Sequence, residues 1–225
     1  LRAVIIANGR LSHPEMDRQR IEEGDWILAA DGGVHNCLHM GLQPQVVIGD
    51  MDSLQPQELE RLQAQGAHLL RYPSRKDETD LELALEHAVS KGVQEILILG
   101  ALGMRWDQTL ANMLLVTRPG LDGRRVSLVD GPQQVFPLRA GETLRLQGRV
   151  GDTLSLVPVQ GDARGITTRG LEYALQNGRL AFGSTRGISN VFSAPTASIS
   201  LSQGTLLCIH IRGTELPKSP DGGQP

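Results

Sequence analysis

Six short apolar runs, each followed by a polar or amphipathic stretch, fill the first 130 residues and most constrain what this chain can fold into. They lie at 3–7, 26–30, 46–48, 68–72, 96–99 and 126–129, a length that suits buried strands. Between them the apolar spacing predicts helices at 14–23, 34–40, 56–65, 79–90 and 107–117, with Pro14 and Pro56 suited to first-turn positions. Strand and helix alternating in this way predict an α/β, Rossmann-like layered domain with a mostly parallel sheet, over residues 1–130.

The pattern changes after Asp130. Short alternating runs at 143–146, 154–157 and 198–202 are punctuated by Gly141, Gly148, Gly151, Gly161, Gly178 and Gly204, as in small antiparallel sheets. A C-terminal all-β sandwich domain is expected over 131–212, with the boundary at Gly131-Pro132. Residues 213–225 are rich in Pro and Gly and nearly free of apolar side chains, which predicts a disordered tail.

Net charge is −3 and aromatic residues make up 3% of the 225, so neither a basic track nor a set of stacking platforms for nucleic acid is present. No apolar stretch reaches membrane-spanning length, and residues 1–7 are too short an apolar segment for a secretory signal. The chain opens on Leu1, so a leader removed ahead of it stays open. Cys37 and Cys208 belong to no metal pattern, and a reducing cytoplasm is the simplest setting.

Gly49-Asp50-Met51-Asp52-Ser53 closes the third apolar run. Alternate residues of an extended segment point the same way, so Asp50 and Asp52 are placed to converge on one hard cation such as Mg²⁺ at the carboxyl edge of a sheet. A solvated turn after a buried strand accounts for the same residues more plainly. Three further runs also sit where an apolar run ends: Ala30-Asp31-Gly32-Gly33, Lys76-Asp77-Glu78-Thr79-Asp80, and 100–108 with Gly100, Gly103, Arg105, Asp107 and Gln108. In an open α/β sheet that edge is where ligands bind.

Each run also has a bland reading. Asp31 and its glycines suit a helix-entry loop; Thr79 or Asp77 suits a helix cap; Asp107 suits a cap or a partner for Arg105. Caps do not explain Arg71, Arg75 and Lys76 beside a helix amino-terminus, where cations are more useful if an anion binds. Arg105 presents a planar fork suited to phosphate, and Asp80 is placed to join Asp50 and Asp52. No P-loop, dinucleotide fingerprint, zinc-protease or nucleophile-elbow motif occurs.

Taken in order, ADGG (30–33), GDMDS (49–53), KDETD (76–80), GALGMRWDQ (100–108) and GISN (187–190) resemble thiamine pyrophosphokinase, also called thiamine diphosphokinase. The resemblance implies an ATP- and Mg²⁺-binding α/β domain, a β-sandwich domain that helps bind thiamine, and a homodimer with sites between subunits. It implies transfer of a pyrophosphoryl group from ATP to the hydroxyethyl oxygen of thiamine, giving thiamine diphosphate and AMP. Asp50, Asp52 and Asp80 match the family's acidic, metal-holding catalytic positions. Asp31, Gly32, Gly33, Ser53, Lys76, Asp77, Gly100, Gly103, Arg105, Asp107 and Gln108 match the surroundings of ATP, and Ser189 and Asn190 match the thiamine-facing loop.

The chain departs from the family pattern where GGRxDH is common, with Met104 and Gln108, and where GTSNE is usual, with Ile188 and Val191. Those changes bear on acceptor contacts more than on reaction class. Three other readings stay open from sequence: a pyrophosphokinase for a pterin-like alcohol, a Mg²⁺-dependent phosphohydrolase, and a nucleotide- or thiamine-binding regulator without turnover.

Overall fold

The computed structural model describes residues 1–213. The tail expected from residue 213 lies, beyond Gly213 itself, outside the described residues.

The first part alternates strand and helix. β1 (Arg2–Ile6), β2 (Trp26–Ala30), β3 (Val46–Gly49), β4 (His68–Arg71), β5 (Glu95–Leu99) and β6 (Arg125–Asp130) are separated by α1 (Pro14–Arg18), α2 (Gly33–His39), α3 (Pro56–Ala64), α4 (Asp80–Ser90) and α5 (Trp106–Leu115). The strands pair in parallel in the order β6-β5-β1-β2-β3-β4. Their apolar runs are near-continuous because both faces are buried. One face packs Ile5, Leu28, Ile48, Ile96 and Ile98 against Leu81, Leu85 and Ala88 of α4. The other packs Val4, Ile6, Val47 and Leu99 against Val34, Cys37 and Leu62.

Local chemistry sets the helix ends. The Thr79 hydroxyl accepts the Glu82 amide at 3.2 Å and caps α4. Gln55 and Glu58 form a capping box around Pro56 at the start of α3. Helix α1 stops five residues short of the expected end at 23. The buried Asp25 carboxylate accepts the Glu22 amide at 2.8 Å, which turns the chain into β2 instead.

The rest of the described chain is antiparallel: β7 (Gln133–Arg139), β8 (Thr143–Gln147), β9 (Thr153–Pro158), β10 (Ala163–Arg169), β11 (Gly178–Leu180), β12 (Asn190–Val191), β13 (Thr196–Ser200) and β14 (Thr205–Ile211). Gly131-Pro132, expected as a boundary, is the tip of a hairpin that pairs Asp130 with Gln133. Gly131 has a φ of 55°, as such a tight connection needs. The parallel sheet therefore continues through β7, β14, β9 and β12 into one ten-stranded sheet. A second sheet, β11-β10-β13-β8, packs on that antiparallel extension. Leu138, Leu154, Leu206 and Cys208 of the large sheet meet Leu146, Ile166 and Ile199 of the small one, around Phe192.

Candidate active site at the sheet switch point

The chain runs from β1 outward to β4, then returns to the other side of β1 as β5 and β6. The carboxyl ends of β1 and β5 are thus the place where connections depart in opposite directions and leave a crevice. A cavity of about 420 Å³ opens there. Its walls are Ala7, Asn8 and Gly9 after β1, Asp31 after β2, Thr79 and Asp80 at the start of α4, and Gly100, Gly103, Arg105, Gln108 and Asn112 around the start of α5.

Close backbone approach shapes this edge. The Gly9 amide donates to the Gly100 carbonyl at 2.8 Å, and a Cβ at Gly9 would stand 2.2 Å from that oxygen. Asn36, on α2, donates its amide to the carbonyls of Ala7 and Gly9 at 2.7 and 2.8 Å and fixes the loop after β1. Asn112 does the same for the loop after β5, through the Ala101 carbonyl at 2.7 Å. Gly32 and Gly33 begin α2 behind Asp31, and a Cβ on Gly33 would meet the Ile6 carbonyl.

Carboxylates gather beside the cavity. Oxygen atoms of Asp31, Asp50 and Asp52 lie within 4.8 Å of one another, the spacing of ligands around one small cation. The register that pairs Ala30 with Ile48 sets Asp31 beside the loop after β3. Gly49 makes the approach possible: at a φ of 152° its missing Cβ would sit 2.9 Å from the Asp31 Cβ and 3.1 Å from an Asp80 oxygen. Asp31 is buried, its Oδ2 accepts the Ser53 hydroxyl, and its Oδ1 is buried with no partner. A buried carboxylate with an unpaired oxygen, grouped with two further carboxylates, suits a hard cation. A hydrogen bond from Ser74 and the Asp52 amide hold the Asp50 carboxyl below the usual range, so it stays ionised.

Asp80, expected as the third metal position, lies next to this group but faces Lys76, with Nζ 2.9 Å from its Oδ1. Burial pushes the Asp80 carboxyl up, against the pull of Lys76, and the charges of Asp31 and Asp50 add to the rise. Lys76 also reaches the Pro73 carbonyl at 3.2 Å. Asp77 is exposed on the same loop. Arg105, expected to hold phosphate, is exposed and paired with Asp107 by two contacts of 3.2 and 2.5 Å. Asp107 sits inside the first turn of α5 and serves as that partner, not as the cap.

Ser189 and Asn190 do not line the cavity. The Asn190 side chain both accepts from the Tyr173 amide at 3.0 Å and donates to the Tyr173 carbonyl at 2.8 Å, so it ties two loops together. Ser189 is exposed, and its amide donates to the Ser155 hydroxyl at 3.0 Å. His35 Nε2 lies 3.3 Å from the Glu58 carboxylate.

Five non-glycine residues among those described have positive φ: Asp31, Met51, Met104, Asn177 and Ser189. Four of the five fall within the sequence runs singled out above. Such conformations cost about 1–3 kcal/mol each and collect at functional sites. Sequence reasoning passed over Asn8, Gly9, Asn36 and Asn112. An Asn-Gly pair directly after the first apolar run was the signal for the first two.

Fold and site together define an α/β protein with a ligand crevice at a sheet switch point and an acidic, cation-competent centre on its rim. Residues 18–128 match the family description "Thiamin pyrophosphokinase, catalytic domain", and residues 142–206 match "Thiamin pyrophosphokinase, vitamin B1 binding domain". A thiamine pyrophosphokinase of Bacillus subtilis is 30% identical over 196 residues, spanning 87% of this chain and 91% of that protein. The thiamine pyrophosphokinase 1 of Oryza sativa is 26% identical over 93% of this chain and 87% of its own. Among solved structures, the B. subtilis thiamine pyrophosphokinase superposes with a TM-score of 0.84 at 27% identity, covering 95% of this chain and 100% of that one. A family protein from Enterococcus faecalis gives 0.82 at 26% identity, again over 95% and 100%. The chain belongs to the thiamine pyrophosphokinase family.

Proposed function

We propose that the chain is a thiamine diphosphokinase: it moves the terminal pyrophosphoryl group of ATP to the hydroxyethyl oxygen of thiamine and releases AMP. The observation that carries this reading is the convergence of Asp31, Asp50 and Asp52 beside the switch-point crevice of a chain that matches the family along both of its parts. In this reading residues 1–130 form a Rossmann-like catalytic domain, and 131–212 a β-sandwich that receives thiamine.

ATP occupies the crevice, with its phosphates toward Asp31 and Asp80. Asp31, Asp50 and Asp52 would hold Mg²⁺, which would supply charge neutralisation to the phosphate oxygens. Lys76 and Arg105 add positive charge; Arg105 exchanges part of its contact with Asp107 for phosphate. The hydroxyl oxygen attacks the β-phosphorus, a new O–P bond forms, and the bond to the oxygen bridging the α-phosphorus breaks, so AMP departs with that oxygen. The hydroxyl proton passes to Asp52 or Asp80. The raised pKa of Asp80 is the direction a general base needs, and Asn substitution at each position separates the two roles.

The crevice is lined by the α/β part alone, which supports a site completed by a second copy. Helix α5 buries no side chain fully, and Trp106, Leu110 and Leu114 are 87%, 60% and 41% exposed on one stripe, next to the exposed Met104. An apolar stripe of this kind beside a site marks an association surface. In a homodimer it meets the partner's thiamine loop, which brings Ser189 to the acceptor. Cytoplasmic location is supported by two buried, unpaired cysteines.

The reading is tested by incubating the protein with ATP, Mg²⁺ and thiamine and measuring AMP and thiamine diphosphate. Equal amounts of both, absent without thiamine or metal, are expected. AMP formed without thiamine would favour the phosphohydrolase, and no product despite ATP binding would return the pterin-like acceptor and the regulator.

A further inference from the structure

The face of the large sheet that carries α1, α2 and α3 is left open over β5, β6 and β7. Alternate residues of those strands point into the gap: Glu95, Arg125, Gln134 and Phe136 line a cavity of about 350 Å³. Arg2 closes it at the start of β1, and Arg20 and Arg212 stand at the side nearest the β6–β7 hairpin. Four arginines and one carboxylate, Glu95, line the cavity, with Glu22 and Asp25 paired to Arg2 and the charge of Asp17 near Arg20. The cavity is distinct from the crevice at the carboxyl ends, and no residue lines both.

The four arginines are not equally satisfied. Arg125 is paired with Glu95 at 2.8 Å, and Arg2 with Glu22 at 2.7 Å and Asp25 at 3.3 Å, although the Arg2 Nε is buried and unpaired. Arg20 donates only to neutral oxygens, the Gly131 carbonyl at 2.9 Å and the Gln134 amide at 3.2 Å. Arg212 makes a backbone bond to Pro132, and its side chain has no hydrogen bond or ion pair among the described residues. Burial and the nearness of Arg212 both disfavour the charge on Arg20. The Asp17 carboxylate offsets part of this for Arg20, and an anion seated between Arg20 and Arg212 would favour the charge on both.

We propose that this cavity is a binding site for a compact oligophosphate, gripped by the guanidinium groups of Arg20 and Arg212 and flanked by Arg2 and Arg125. Guanidinium forks match phosphate oxygens in pairs, and two forks lining one space, Arg20 and Arg212, suit a ligand with more than one phosphate group. Its volume suits a small ligand. Because Arg2 and Arg20 belong to the parallel part and Arg212 follows the last antiparallel strand, the ligand would brace the two parts across the hairpin at Gly131.

The probe is inorganic triphosphate, titrated calorimetrically into the full chain without Mg²⁺, with melting temperature followed in parallel. Arg212→Gln should weaken binding at least about tenfold and abolish the rise in melting temperature, since it removes one charge-assisted contact. Its exposed side chain has no hydrogen-bond or ion-pair partner among the described residues, so the variant itself should melt like the parent. Arg20→Gln should weaken binding similarly, whereas Lys76→Gln and Arg105→Gln should leave it within twofold. Affinity unchanged in both Arg212→Gln and Arg20→Gln, or lost in Lys76→Gln, would place the triphosphate in the other cavity and overturn the proposal. Citrate binding as tightly as triphosphate would overturn the phosphate assignment, and citrate binding at least tenfold more weakly would support it.

Discussion

The parallel and antiparallel parts of this molecule share one sheet yet distribute their irregularities differently. In the parallel part the carboxyl edge carries the oddities: three non-glycine residues with positive φ, an orphaned carboxylate oxygen on Asp31, and a raised carboxyl pKa on Asp80. In the antiparallel part the polar investment lies inside. Buried Asp152 accepts the amides of Arg149 and Gly213 at 2.9 and 2.8 Å and faces buried His210 at 3.0 Å, which stacks on Phe192. A polar group whose every lone pair is occupied holds a fold together, and one left open is available for a ligand. In the proposed reading this difference goes with transfer chemistry in the first part, and with a scaffold that presents the Ser189 loop to thiamine in the second.

The largest effect should come from the open group. Asp52→Asn removes an exposed charge from the acidic centre, so thiamine diphosphate formation should fall by at least about a hundredfold, the scale of losing one charge-stabilising group. Its melting temperature should stay with the parent's. Normal turnover would break the assignment. The converse holds in the other part, where Leu206→Ala truncates a fully buried side chain between the two sheets and should cost about 2–5 kcal/mol in denaturant unfolding. ATP affinity per folded molecule should not change, and a parallel loss would show that the division of labour is wrong.

A pH titration sharpens the same contrast. Burial, with help from Arg212 and Arg20, holds the His210 pKa below its ordinary 6.5, although Asp152 pulls the other way. The neutral ring is therefore favoured in the fold, and its contribution is complete above 6.5 and lost as pH falls through the depressed value. For Asp152, burial works upward, but the backbone amides and His210 outweigh it and hold the pKa below 3.8, so its own contribution is lost only in stronger acid. Melting temperature should fall between pH 7 and 5, and less steeply in His210→Gln. His87, which burial also lowers, carries part of the remaining slope. An unchanged slope in that variant would remove His210 from the account.

The smallest effect concerns Met104, which sits at a φ of 37° with its side chain 78% exposed, where the family pattern has glycine. Met104→Gly should relieve about 1–2 kcal/mol of left-handed strain. Against this stands about 0.4–1 kcal/mol of added unfolded-state freedom. A gain of about 0.5 kcal/mol in denaturant unfolding is expected, and a clear loss would mean that the Met104 side chain is in use.

The parallel strands were legible in sequence because burial on both faces writes them as unbroken apolar runs, and helices end at capping residues such as Thr79. The boundary at Gly131-Pro132 was a real turn signal, but nothing local says that a turn joins strands of one sheet. Strand β7 was passed over, with Pro137 in its middle hiding it. The proximity of Asp50 and Asp52 follows from alternation along one segment. Asp31 reaches them only through the register between β2 and β3, a long-range property that no local spacing records. Its place beside Asp80 depends likewise on the missing Cβ at Gly49.

The central claim is that the nucleotide crevice of one copy works with the Ser189 loop of another, and mixed dimers test it most directly. Asp52→Asn disables the crevice, and Ser189→Arg blocks the loop; each variant alone should be inactive. Unfolded and refolded together in equal amounts, they should recover about a quarter of parental thiamine diphosphate formation, because half of the dimers are mixed and each mixed dimer carries one intact site. No recovery, with mixed dimers demonstrated, would place crevice and loop in the same copy and contradict the account.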